Sequence, residues 1–200
     1  MSAPKPIESH CATTAYPDAD GAVGVPERLW FVAVVNHNSE IRSAEKLRAS
    51  GFTSYVATQK ELRIWRNGRR KTVDRVVISS LVFIHCTETE RRAAVNLPFI
   101  FRFLTDKASA STPSGRPVAI IPQKQMETLQ FMLGHSDTPV EITSRVYGKG
   151  DKVRVIRGNL RGVEGIVVTD SEGQSELIVN LDILGNARCR ISPVDLEPIP

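Results

Sequence analysis

Six consecutive aromatic, β-branched or alanine residues, Trp30 to Val35, predict a buried strand. Asn36 to Asn38 then offer helix caps. Ile41, Ala44 and Leu47 recur at helical spacing, and Gly51 stands where a helix-closing glycine belongs. Phe52–Thr58 predicts a second strand. Leu62 and Ile64 alternate with Arg63 and Trp65 up to Asn67-Gly68, a strong hairpin signal because both residues tolerate positive φ. The return strand passes Thr72, Val73 and Arg75 and leads through Val76-Val77-Ile78 and Ser79-Ser80 into Leu81-Val82-Phe83-Ile84, a central strand by composition. Thr87 and Glu90 form a capping-box pattern for a short helix that stops before Pro98. Phe99–Leu104 and Val118–Ile121 predict strands on either side of a polar loop. Pro122 suits the start of a last helix, with Met126, Leu129 and Leu133 as its buried stripe.

The order β-α-β-β-β-α-β-β-α predicts an α/β sandwich with helices packed on a mostly antiparallel sheet, an α+β fold class. From Lys149 onward no helical period survives. Val153 and Val155 alternate with charged residues, glycines 158, 162 and 165 punctuate turns, and Ile166–Val168, Leu177–Leu181 and Arg188–Ile191 read as strands. About five short strands in ~50 residues predict a small closed β-barrel. Gly165 sits where a side chain would collide with a neighbouring strand of so narrow a barrel. Four segments follow: a disordered tail over 1–28, an α/β domain over 29–135, a linker over 136–148 and a barrel over 149–200.

Charge refines this division. The 200-residue chain carries a formal +4, but residues 149–200 hold seven Lys/Arg against eight Asp/Glu. The window Lys60–Arg75 holds seven basic residues against Glu61 and Asp74, so the basic excess is one local patch. Such a patch fits a polyanion such as nucleic acid, or simply a solvated hairpin.

The three cysteines, Cys11, Cys86 and Cys189, are far apart and include no C-x-x-C pair, so reduced thiols are expected and no disulfide framework or zinc site. His10, His37, His85 and His135 have no metal-ligand spacing, and no nucleophile elbow, P-loop or paired-carboxylate motif is present. No catalytic residue, cofactor or metal is therefore assigned. No secretory h-region precedes Trp30, and the longest apolar stretch, Val76–Cys86, has 11 residues, against the ~20 a membrane span needs. A cytoplasmic protein, without a membrane partner, is expected.

The segment from Lys149-Gly150-Asp151 through Arg157-Gly158-Asn159-Leu160-Arg161-Gly162 to Ile166-Val167-Val168 resembles a KOW motif. Trp30-Phe31-Val32 followed by a helix, the basic hairpin, the Leu81–His85 strand, Pro98-Phe99-Ile100, and the C-terminal Asp182-Ile183-Leu184-Gly185-Asn186 are similar in order and spacing to NusG-family transcription factors. The resemblance covers roughly residues 29–199. Family members that serve elongation in general usually carry a Phe-Pro-Gly-Tyr type segment before the central strand. Here Ile78-Ser79-Ser80-Leu81 stands in its place, which looks more like the UpxY-type paralogs, operon-specific antiterminators of surface-polysaccharide loci.

The resemblance implies an N-terminal NGN domain that docks on the clamp helices of RNA polymerase and disfavours its paused state, selecting one pre-existing conformation. By position, Ile78, Leu81, Phe83 and Trp30 belong to or adjoin the docking patch. For each of these, core burial is the competing reading, and it is favoured for Phe83, since a central strand must bury one face. Regular alternation would put Ile78 and Leu81 on opposite faces, so a bulge at Ser79-Ser80 is expected if both reach polymerase. Arg63, Arg66, Arg69, Arg70, Lys71 and Arg75 are then placed to contact upstream or non-template DNA or nascent RNA. Trp65 is placed either to stack on an unpaired base or to pack against the sheet edge. The barrel, expected to be stable, would recruit Rho or the ribosomal protein NusE through Ile183 and Leu184, and a monomer is expected. A KOW-containing RNA-binding or ribosome-associated protein is the alternative.

Overall fold

In chain order the elements are β1 (Leu29–Val34), α1 (Glu40–Ala49), β2 (Thr53–Tyr55), β3 (Thr58–Ile64), β4 (Arg70–Val76), β5 (Leu81–Cys86), α2 (Glu88–Ala94), β6 (Arg102–Phe103), β7 (Ile120–Ile121), α3 (Gln123–His135), β8 (Glu141–Thr143), β9 (Asp151–Val155), β10 (Glu164–Thr169), β11 (Ser175–Asn180), β12 (Asn186–Arg190) and β13 (Leu196–Pro198). The computed structural model describes residues 26–107, 109, 115–144 and 150–199. The expected tail, but for its last three residues, lies outside these, as do Cys11, Lys149 and most of the loop over 108–116.

The Trp30 run forms β1, which pairs antiparallel with β5 through Val32↔Phe83 and Phe31↔Ile84, in a sheet of order β2-β5-β1-β6 with β7 also on β1. Side chains alternate between two faces. Phe31, Ala33, Val82 and Ile84 pack with Ala44 and Leu47 of α1 and Ala94 of α2. Trp30, Val32 and Phe83 pack with Met126, Leu129, Met132 and Leu133 of α3. Helices on both faces account for β1 and β5 being almost continuously apolar, because neither side meets water.

The helix signals hold in part: the cap of α1 is Ser39 rather than a residue of Asn36 to Asn38, and no side chain caps it. Thr87 Oγ1 accepts from Glu90 N at 3.2 Å and Glu90 Oε2 accepts from Thr87 N at 2.9 Å, completing the capping box. Gly51 takes φ +86° just past α1. In α1, however, Ile41 is 45 % exposed, and the buried positions are Glu40, Ser43, Ala44 and Leu47. Four strands rather than three separate α1 from α2, because Val56 and Ala57 turn inward and split the second strand into β2 and β3. The strands expected over Phe99–Leu104 and Val118–Ile121 shrink to two residues each, β6 and β7. No helix among the described residues is long and apolar enough to cross a membrane.

The C-terminal strands form a six-stranded antiparallel sheet of order β13-β9-β10-β11-β12-β8. It is a small barrel-like layer closed around Val153, Val155, Leu177, Val179, Leu181, Ala187 and Cys189. Among the described residues β8 and β13 end the ladder unpaired to each other, so the hydrogen bonds do not close the full circle that was expected. The sixth strand, β8, comes from the stretch expected to be a linker, and Val140 just before it is fully buried. Burial pushes the Cys86 and Cys189 thiols up to about 11, which keeps both protonated. Gly158 and Gly162 take positive φ around the buried Leu160, as their spacing predicts.

A Cβ on Gly165 would overlap the Ile178 carbonyl oxygen across the β10–β11 ladder and lie 3.2 Å from Leu177 Cδ1. Backbone cannot yield there without breaking the ladder. Gly165→Ala should therefore destabilise the barrel by about 1–3 kcal/mol, seen as an earlier thermal transition. An unchanged transition would mean that β10 shifts freely.

Candidate nucleic-acid and protein interface

The basic window folds as a two-stranded hairpin, β3 paired with β4 from Thr58↔Val76 to Ile64↔Arg70, and it forms no ladder with the main sheet. Its tip closes with Gly68 N–H donating to Trp65 O at 2.8 Å and Trp65 N–H donating to Arg69 O at 2.9 Å. Only Gly68, at φ +76°, is left-handed; Asn67 instead caps the turn, its Oδ1 accepting from Arg69 N. The tip is thus a longer turn with a glycine bulge rather than the two-residue turn that Asn-Gly suggests.

Register sorts the hairpin into faces. Leu62 and Ile64 share one face with Thr72 and Arg70, while Arg63 and Lys71 lie on the other. Leu62 is 58 % exposed, Ile64 62 % and Trp65 48 %. Trp65 thus stands about half exposed at the tip, among arginines. Arg66, Arg69, Arg70 and Lys71 are exposed, and among the described residues no carboxylate pairs with them.

Arg75 and Arg63 differ from those four. Glu61 lies 3.3 Å from Arg75 and 3.7 Å from Arg63. Arg75 Nη2 also donates to Gln59 Oε1 and to Val140 O, at 3.3 and 3.1 Å. Gln59, 8 % exposed, accepts from Val140 N at 2.9 Å and donates to Thr138 O at 2.9 Å. From the barrel side, Asn159 donates to Asp137, and Thr138 Oγ1 donates to Arg190 O. The stretch 136–140 is thus held between the hairpin base and the barrel. Sequence reasoning missed Gln59, because an isolated glutamine in a charged strand gives no signal of burial. Gln59→Leu should leave buried amide groups without partners and cost about 1–3 kcal/mol in chemical denaturation, with faster exchange of the Val140 amide. Wild-type exchange at Val140 would show that the clamp is not formed.

A second cluster lies on the face of the sheet that carries α3. Phe83 is fully buried. Trp30 is 8 % exposed, stacks on His85 at 4.8 Å and donates from Nε1 to Gln123 Oε1 at 2.7 Å. Both form the floor of this face and present almost no surface in this arrangement. Ile78 and Leu81 are half-buried and pack against the same cluster, together with Tyr55, Val77 and Leu104. The chain break that brings Ile78 and Leu81 to one side is a turn over 77–80 with Ser80 at φ +63°, not a bulge within a continuous strand. Tyr55, which sequence reading passed over, lies against Phe83 with ring centroids 6.1 Å apart. Burial pushes its phenol up to about 12, so it stays neutral. Its signal was its place at the end of β2, directly before the break, legible only once β2 is paired to β5 through Tyr55↔Phe83.

On the barrel, Ile183 and Leu184 occupy a short helical turn closed by Gly185 at φ +95° and are half-buried. The neighbouring Asp182 carboxylate accepts from Gln125 of α3.

The family model described as transcription termination factor nusG matches residues 28–130, from β1 through most of α3. The chain belongs to the NusG family. It is thus a member of a family of transcription factors, and the hairpin and apolar face lie within the matched residues. The chain is similar to a solved structure described as domain interaction in Thermotoga maritima NusG, at 13% identity over 87% of this chain and 98% of that one, with a TM-score of 0.45. It is also similar to a chain of the MjSpt4:Spt5 complex, at 14% identity over 86% and 97%, with a TM-score of 0.29. No curated protein matches it.

Proposed function

We propose that this NusG-family chain binds RNA polymerase and acts as an operon-specific antiterminator of the UpxY type, suppressing pausing and termination in the cytoplasm without catalysing a reaction. The observation that carries this reading is the presence of two unlike surfaces in one domain: a neutral apolar cluster at Tyr55, Ile78 and Leu81 beside the main sheet, and a separate basic, apolar-tipped hairpin at 62–71. The first fits the apolar patch by which the family docks on the clamp helices. The second then reaches upstream or non-template DNA, or nascent RNA, with a grip that is electrostatic and independent of sequence. Trp65 adds a surface on which one unpaired base can stack.

The barrel, with its net negative charge, is the recruiting unit for a protein such as Rho or NusE, through Ile183 and Leu184. The docking unit is the domain over 29–135. Support for the specialised paralog comes from Ile78-Ser79-Ser80-Leu81, where the housekeeping pattern has Pro and Gly.

The test uses the full chain. Purified protein should retain core RNA polymerase on a column and lengthen transcripts past a pause or terminator in its own operon leader. Absence of retention, or unchanged pausing and readthrough on that leader, would overturn the proposal. Tight RNA binding without polymerase would favour a free RNA-binding protein instead.

A further inference from the structure

The first residue of α1 is a carboxylate with no place in the apolar pattern of the helix. Glu40 is 3 % exposed. Its Oε1 accepts from Ser80 N at 2.6 Å and from Asn38 N at 3.2 Å. Those two donors belong to left-handed residues, Asn38 at φ +61° and Ser80 at φ +63°, a conformation that L side chains seldom adopt. The Ser80 carbonyl is fixed as well, accepting from Val35 N at 2.9 Å. Both backbone groups of Ser80 are therefore tied to the chain around α1, and the Glu40 tie spans 40 residues of sequence.

Ser80 ends the turn that turns Ile78 and Leu81 onto one face. Glycine would adopt this φ without cost. A serine there must be held by something else, and a charge-assisted hydrogen bond from its N–H to a buried carboxylate is a strong hold of that kind. Burial alone would raise the Glu40 carboxyl; the N–H groups of Ser80, Glu40 itself and Asn38, with His37 nearby, outweigh it and bring the carboxyl below its ordinary range. The carboxylate is thus ionised at neutral pH.

We propose that Glu40 is a positioning residue for polymerase docking, holding the Ser80 turn so that Ile78 and Leu81 present one surface beside Tyr55. This rests on the docking reading above. It assigns to α1, which lies on the opposite face of the sheet, a part in the contact.

The experiment measures affinity of the full chain for core RNA polymerase at a temperature where circular dichroism shows every variant folded. Glu40→Ala should bind roughly tenfold more weakly. Glu40→Ala/Ser80→Gly should recover to within about threefold of wild type, because glycine removes the need for the hold. If Glu40→Ala does not fold, Glu40→Gln carries the comparison with a loss of about fivefold, since a neutral amide holds the two N–H groups more weakly, and Glu40→Gln/Ser80→Gly should then return to within about twofold of wild type. Wild-type affinity in the single variant would overturn the assignment. So would a loss that glycine at position 80 does not repair, which is the result expected if Glu40 served only overall stability. Failure of the wild-type chain to bind would overturn the docking reading itself, and this assignment with it.

Discussion

Replacing Arg66, Arg69, Arg70 and Lys71 together with glutamine should weaken binding of a short single-stranded oligonucleotide on the order of a hundredfold at low salt, and lower the slope of log affinity against log salt by about 3. The size follows from counting. Each phosphate neutralised on a single strand releases counterions worth about 0.7 of slope, and these four side chains are the exposed cations at the hairpin tip without a carboxylate partner among the described residues. Arg75→Gln is the internal control. Its guanidinium is already engaged by Gln59, Glu61 and Val140, so the change should leave the slope nearly intact and instead loosen the hairpin base. Trp65→Ala should separate strands from duplex, costing about 1–3 kcal/mol with unpaired bases and little with paired ones. An unchanged salt slope in the quadruple variant would remove the hairpin from the nucleic-acid interface. Fluorescence anisotropy across a salt series reads all of these.

The basic patch was legible because charge density survives any folding: seven cations in a hairpin-length window remain close together whatever the turn geometry. Which of them are free was not. Gln59, Glu61 and Arg75 are ordinary polar residues in sequence, and only the approach of the stretch 136–140 turns them into a clamp. That same approach explains why the expected linker yielded a strand. Glu141–Thr143 has too few residues for a period to show, and its pairing with β12 is a long-range event. Gly165 shows the opposite case. Its need for an absent side chain follows from local strand spacing in a narrow barrel, and the clash with Ile178 is where the sequence placed it. Glu40 and Ser80 were illegible for a different reason. A carboxylate at a helix start reads as solvated, and nothing local ties it to a turn 40 residues away.

Docking carries the largest single consequence, because the apolar cluster mixes residues that support the fold with residues proposed to meet a partner, and the two should respond differently to truncation. Phe83 is fully buried in the middle of the sheet, so Phe83→Ala should cost about 3–5 kcal/mol of stability and lose polymerase binding only through unfolding. Tyr55 and Leu81 are half-buried beside it. Tyr55→Ala/Leu81→Ala should leave a cooperative thermal transition while weakening polymerase binding by roughly a hundredfold or more, the scale of a central interface contact. Tyr55→Phe tests the phenol: if area alone matters, it should bind nearly as wild type, whereas a hydroxyl bonded to the partner would make it costly. The barrel supplies the contrast. Ile183→Ala/Leu184→Ala should leave polymerase affinity unchanged and affect only a partner recruited by the barrel. Pull-down titration together with melting curves on the same samples distinguishes these outcomes. The docking surface fails as assigned if the Tyr55/Leu81 variant binds like wild type, or if its loss follows its melting temperature as that of the Phe83 variant should.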